Sequence, residues 1–355
     1  MSPKPKMTSA LLLEEKDRLA TSVTKQLYDV HPQWEQRFGE MGRARCMEDT
    51  MHHIDYLAEA IRYESQSLFD QYLQWVENVL FARDIDTADL KRSLEILNQA
   101  ITLHFEDSSE IRSEVSGYLV RGIECLGQSS LEVSSWLKPE NPLHEEAQRY
   151  LELLLDGRRR EASHLINVTM MKGYEIPEIY EHIFQSTQYE IGQLWQQNKI
   201  TVAHEHYCTA ATQLIMSGLY QKIFSGKRKG ATMVACSVQD ELHEIGVRMV
   251  SDFFEMDGWD TFYLGSNVPI SNLTEMLMEN KADLLALSVT LPVHVCKLES
   301  LIARIKGKKE LESLKIMVGG YPFVIVPGLA RRIGADATAP SAREAVKKAN
   351  SLLNF

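Results

Sequence analysis

The sequence predicts a multidomain chain that is all-helical in its first two regions and α/β in its third. Three observations carry this. Apolar residues recur at helical spacing from the N-terminus to about residue 225. A pair of prolines within Ser134–Pro142 interrupts that rhythm once. From Thr232 onward, short β-rich runs alternate with helical segments.

The first region, residues 1–135, is expected to be an all-helical domain of globin-like size. Leu11, Leu19, Val23 and Leu27 recur near helical spacing, as do Met51, Ile54, Ala58 and Ile61. Leu68, Tyr72, Trp75, Val76 and Leu80 continue the stripe, and Leu90, Leu94, Leu97 and Ile101 form another, preceded by capping residues in Asp84-Ile85-Asp86-Thr87. The second region, 141–228, reads as four helices near 143–155, 158–172, 177–198 and 201–225, whose short connections make antiparallel neighbours and hence a four-helix bundle. A basic linker, Gly226–Gly230, follows. In the third region, 230–355, strands are expected at 232–238, 261–264, 284–289, 315–318 and near 335–339, with helices at 241–256, 270–280, 294–307, 326–333 and 341–353. Alternating units of this length make a doubly wound parallel sheet, which takes ligands at the carboxyl ends of its strands.

Composition narrows the function. Lys and Arg number 38 against 49 Asp and Glu, a formal charge of -11, which argues against gripping phosphate backbones. No apolar run approaches the ~20 residues of a membrane span, and the N-terminus does not read as a signal peptide. Five cysteines without a CxxC pair fit a reduced, cytoplasmic chain with neither a disulfide framework nor a structural zinc site.

The loops after the strands carry the chemistry. After the first strand stands Glu241-x-His243-x-x-Gly246, where a carboxylate can fix the tautomer of the imidazole and raise its basicity, as partners of metal ligands do. Alone, such a histidine reads more simply as a surface or capping residue. The third strand ends in Ser288-x-Thr290 and the fourth in Gly319-Gly320, small residues that leave a slot for a flat ligand with hydroxyls at its edge.

Together these residues resemble the cobalamin-binding motif DxHxxG…SxL…GG of the vitamin B12-binding Rossmann domain, over all of residues 230–355. The resemblance implies that His243 ligates cobalt from below and that the displaced nucleotide tail lies by Ser288, Thr290, Gly319 and Gly320. Glu241 replaces Asp and Thr290 replaces Leu, and the glutamate version looks like that of light-sensing members.

The bundle resembles the helical cap over the upper face of cobalamin. Trp195, followed after nine residues by Glu205-His206, resembles the W-x9-EH element of CarH-type photoreceptors, in which these residues surround an upper 5′-deoxyadenosyl group. Taken singly, Trp195 reads as a core residue and Glu205-His206 as an exposed pair. Gln196 cannot become an upper cobalt ligand after light, which leaves His204 or His206 for that part. CarH-type proteins also carry a basic helix-turn-helix; the first region here does not resemble one, so no direct DNA binding is expected.

The segment 31–61 resembles the helical domain of photocobilins, which join a CarH-like module to a globin-like bilin-binding domain. The resemblance implies a bilin such as biliverdin, with contacts at His52, His53, Tyr56 and Arg43. Cys46 could form a thioether but reads more simply as a buried thiol, and with haem instead of bilin His53 or His104 would be the iron ligand. The resulting expectation is a non-enzymatic photoreceptor. In it, light cleaves the cobalt–carbon bond of adenosylcobalamin and a homodimer or higher homo-oligomer signals to an output partner. The alternative is a corrinoid carrier protein of a methyltransferase system, against which Trp195 and the extra N-terminal region speak. An adenosylcobalamin mutase is excluded, because residues 1–135 are too few for a substrate barrel.

Overall fold

The computed structural model describes residues 5–128, 134–224 and 227–355. Gly226, the first residue of the expected basic linker, lies outside them. The chain divides into two compact units, Met1–Glu132 and Val133–Phe355.

The first unit is helical throughout, with helices Pro5–Glu14, Lys16–Val30, Trp34–Phe38, Glu40–Arg62, Gln66–Phe81, Thr87–His104 and Ser109–Cys125. The long helix Glu40–Arg62 packs on the first two helices as well as on Gln66–Phe81 and Ser109–Cys125. Its inward stripe of Ile54, Leu57, Ala58 and Ile61 is buried. The expected cap is Asp86, whose carboxylate accepts from Ala88 N at 3.1 Å, and Ser108 caps the last helix. Two positions differ from the sequence reading. Leu12 and not Leu11 enters the core, and Trp75 stays 42% exposed although it lies beside the stripe. The structure gives this unit an all-helical fold and goes no further towards a globin.

The second unit begins with four helical rods: His144–Leu155, Arg159–Met171, Ile176–Gln196 and Val202–Gly218. The third rod is α-helical at both ends and π-helical over Tyr180–Gln185. Thr201 starts the fourth rod by accepting from His204 N, while His204 Nδ1 faces the Thr201 hydroxyl at 2.7 Å.

The sheet that follows has β1 Thr232–Ser237, β2 Asp260–Tyr263, β3 Leu284–Ser288, β4 Lys315–Gly319 and β5 Ala337–Thr338, all parallel and in the order β2-β1-β3-β4-β5. The order reverses between β1 and β3, and a crevice for ligands opens at such a switch point. Register brings the ends level: Ser237 pairs with Ser288, and Ser288 with Gly319. Met233, Ala235, Leu284, Ala286 and Met317 share one face of the sheet and join a single core with Phe253, Phe254, Ala345 and the rod residues Tyr150, Tyr180, Ile183 and Phe184. The Tyr180 hydroxyl donates to Asp252 Oδ2 at 2.8 Å, and Arg343 pairs with Glu181.

Two helices of the third region differ from expectation. The helix after β1 runs Ile245–Met256 and begins four residues late, because 239–244 form a loop around the buried Glu241 carboxylate. The segment expected as one helix at 326–333 is replaced by Tyr321–Ile325 and Leu329–Arg332, with Pro322 opening the first and Gly328, at φ 81°, separating the two. Among the described residues, no helix is long and apolar enough to cross a membrane.

Candidate functional site

The site is built around one carboxylate. Glu241 is fully buried on the loop after β1. Its Oε1 accepts from His243 N at 3.0 Å and lies 2.5 Å from His243 Nδ1. Its Oε2 accepts from Thr290 N at 2.8 Å and Leu291 N at 3.0 Å, and faces His294 Nδ1 at 3.3 Å. Burial opposes the charge on Glu241. The hydrogen bonds from His243, His294 and the backbone of Leu291 and His243 outweigh it and hold the carboxyl far below the usual range. A buried carboxylate without such donors would cost several kcal/mol.

The loop is pinned on every side. Ser237 donates its hydroxyl to His243 O, Val238 N donates to Ser288 O, and Asp240 pairs with Lys297. The His243 side chain stays 56% exposed, with Nδ1 committed to Glu241 and Nε2 turned away from it. The hydrogen bond to Glu241 raises the pKa of His243; burial opposes this, and the charges of Glu241 and Glu205 add to it.

Beside the histidine lie the ends of β3 and β4. Val289 N donates to Gly319 O, which joins the ends of β3 and β4. A Cβ on Gly319 or Gly246 would meet nothing within 4 Å, so both border open space. Gly320 differs: at φ +114° a Cβ there would sit 1.8 Å from Val289 O, so only glycine lets the two loops approach. The structure thus brings Glu241, His243, Ser288, Thr290, Gly319 and Gly320 together at the carboxyl ends of β1, β3 and β4.

The bundle residues are less convergent. Glu205 acts electrostatically on His243, and the Thr209 hydroxyl lies 3.0 Å from Glu205 Oε1 and 2.9 Å from Gln188 Oε1, with one hydrogen to give to either; Gln188 donates to Thr212, the partner of the buried Tyr150 hydroxyl. His206 is 75% exposed and pairs with Glu205. His204 is engaged in the helix cap. Trp195 is half-buried in the last turn of its helix.

Of the four expected bilin contacts, only His53 and Tyr56 come together, both on Tyr72. Arg43 lies over the Tyr28 ring and pairs with Glu35, ten residues and roughly 15 Å along the helix from His53. His53 turns inward, with Nδ1 2.8 Å from Tyr72 OH, and burial lowers its pKa to about 4. Tyr56 stacks on Tyr72 with ring centroids 3.7 Å apart, and His52 is exposed. His104 pairs with Glu15, and burial first of all raises the pKa of the Cys46 thiol.

His294 was missed in the sequence. It stands 53 residues from Glu241, in a turn that reads as the start of a helix, and only the fold brings the two together.

Residues 231–349 match a family described as B12 binding domain, and residues 146–220 match a second family of the same description. Dimethylamine corrinoid protein 1 of Methanosarcina acetivorans is 30% identical over 178 residues, covering 50% of this chain and 83% of that one. The trimethylamine corrinoid protein of Methanosarcina barkeri is 26% identical over 199 residues, covering 54% and 89%. The solved structure of the Methanosarcina barkeri monomethylamine corrinoid protein has the same fold, with a TM-score of 0.53 at 22% identity over 59% of this chain and 99% of that one.

These relatives overturn the expected photoreceptor of the CarH-like or photocobilin type; they support corrinoid binding and lend no support to the adenosyl group or the bilin. The strand-end motif reports corrinoid binding and is blind to light, and Trp195, Glu205 and His206 serve equally as parts of a helical bundle. With 30% identity running over 83% of such a relative, the chain belongs to the B12-binding corrinoid-protein family.

Proposed function

We propose that this protein is a corrinoid carrier of a methyl-transfer system: it receives a methyl group with the help of one partner protein and presents it to another. The observation that carries this reading is the 83% coverage of a dimethylamine corrinoid protein by the matched half of the chain. The chain carries and does not catalyse, so it is not an enzyme. The relatives are named for mono-, di- and trimethylamine, and the proposal therefore stops at methyl transfer.

The residues fit a corrinoid. His243 offers Nε2 as the lower cobalt ligand, while Glu241 holds the proton at Nδ1 and fixes the ring. Ser288, Thr290, Gly319 and Gly320 are proposed to lie beside the nucleotide tail, and Gly319 and Gly246 have open space where a Cβ would stand. Trp195, Glu205 and His206 are proposed to line the opposite face from the bundle. When bound, the corrinoid supplies a cobalt that takes up and releases methyl.

The test is direct. The protein is loaded with hydroxocobalamin, desalted, reduced and treated with iodomethane, and its absorption spectrum is followed before and after a corrinoid-dependent methyltransferase and a thiol are added. A methylcobalamin spectrum that stays with the protein and then decays with methylation of the thiol is expected. Loss of cobalamin on desalting would sink the proposal. In His243→Ala the spectrum should shift to that of cobalamin without a lower histidine; an unchanged spectrum removes His243 as ligand.

A further inference from the structure

The fourth rod, Val202–Gly218, and the helix Ile245–Met256 run side by side in the same direction. Gln213 Nε2 donates to Glu244 Oε1 at 3.0 Å, and one turn further along both helices Arg248 donates to the Ser217 hydroxyl at 2.7 Å. Glu205 stands two turns before Gln213, roughly 12 Å along the axis, whereas the second helix begins only at Ile245. The first turns of the rod therefore project past the start of that helix, on the side of the sheet where the strands end. Both oxygens of Glu205 are held there: the Thr209 hydroxyl lies 3.0 Å from Oε1, and His206 Nδ1 lies 2.5 Å from Oε2. The pKa of His243 is raised first by its hydrogen bond with Glu241, and the charge of Glu205 adds to this. A field that reaches the ring reaches whatever the ring ligates.

We propose that Glu205 sets the redox poise of the corrinoid. The inference rests on reading His243 as the cobalt ligand. A fixed negative charge stabilises cobalt in its more positive state, so the carboxylate favours cobalt(II) over cobalt(I). At ~10 Å and an effective dielectric of ~20, one such charge shifts a one-electron equilibrium on the order of 10-fold. The Glu205 side chain is 31% exposed, so salt screens part of this. An acidic residue in the first turn also stabilises its own helix, but that effect leaves the cobalt couple where it is. The carrier thus resists idle reduction, and cobalt(I) is reached when methyl departs and leaves the bonding pair on the metal.

The experiment loads the full chain with hydroxocobalamin at low ionic strength and poises it with titanium(III) citrate and viologen mediators. One electron passes from titanium(III) to cobalt(II), and the cobalt(I)/cobalt(II) ratio is read by absorption at a fixed potential. Glu205→Gln should raise that ratio about 10-fold, equivalent to about 59 mV in the midpoint of a one-electron couple. Glu205→Asp, which keeps the charge, should stay near wild type. His206→Gln should leave the ratio unchanged or lower it; a rise equal to that of Glu205→Gln would assign the effect to the imidazole and overturn the proposal. Should Glu205→Gln not retain cobalamin, the wild-type ratio is followed from about 0.01 M to about 1 M salt. Screening should raise it, and a ratio that does not move overturns the proposal. Equal ratios in wild type and Glu205→Gln would overturn the role of Glu205. That outcome leaves the ligand reading intact, provided His243→Ala removes the three-line nitrogen splitting from the cobalt(II) electron paramagnetic resonance spectrum. Splitting that survives in His243→Ala, or a wild type that binds no cobalamin, would defeat the ligand reading and this inference with it.

Discussion

Gly319 and Gly320 are neighbours with opposite requirements. Gly320 is glycine because its backbone is left-handed and presses on Val289 O, so Gly320→Ala should cost on the order of 2 kcal/mol or more, read as a lower melting temperature of the cobalamin-free protein. Gly319 has room for a methyl group. Gly319→Ala should leave the melting temperature within a degree or two and weaken cobalamin binding about 10-fold or more, measured by titration. Equal effects of the two substitutions on stability would count against this division. At this scale the sequence is most legible where spacing is local. Glu241, His243 and Gly246 lie within six residues, and their mutual geometry follows from one loop. His294 was invisible for the opposite reason, since nothing in the turn at 292–294 marks it as the partner of a carboxylate on the loop after β1.

At the scale of elements, periodicity found the helices and strands and failed where a side chain competes with the backbone. The segment 241–244 reads as helix, yet a buried glutamate that needs its donors keeps it a loop. The tie between Ile176–Gln196 and Ile245–Met256 has a measurable signature. Asp252 is buried under Tyr180; burial, helped by the Glu255 charge, pushes its carboxyl up to about 6 against the opposing hydrogen bond from Tyr180 and the Arg248 charge. A raised folded pKa favours the protonated form, so the stability it contributes is full below the unfolded value near 3.8 and is lost as pH rises to 6. By pH 7.5 the ionised group costs about 3 kcal/mol relative to its protonated state. Asp252→Asn should therefore raise the melting temperature at pH 7.5 and have little effect at pH 4, with the difference developing between those limits in thermal melts. A lower melting temperature at pH 7.5 would show that the charge itself holds the two helices together.

For the whole molecule, one buried cluster runs from Leu143, just before the first rod of the second unit, to Ala349 in the last helix. Residues 134–355 alone should therefore fold and bind cobalamin within about threefold of the full chain, as titration of the two would show. Failure to fold or to bind would make the first unit part of the site. The α/β half was legible because its units repeat a simple rhythm and its loops carry a multi-part motif. The purpose of the bundle was not, since Trp195 and Glu205-His206 read alike for a light-gated and a methyl-carrying protein. The first unit yields its helices from periodicity but no ligand. Residues spaced along one helix look like a cluster in the sequence, yet in the fold Arg43 meets Tyr28 and Glu35 while His53 and Tyr56 meet Tyr72.

Glu241 meets five hydrogen-bond donors within the chain itself: His243 N and Nδ1, Thr290 N, Leu291 N and His294 Nδ1. The loop is therefore preorganised before any cofactor arrives. The entropy of ordering the six residues 239–244 between β1 and the following helix is lost when the chain folds and is not charged against the cofactor's affinity. Cobalamin capture by such a loop is docking without coupled folding, so its observed rate should rise linearly with cofactor concentration and show no saturating conformational step.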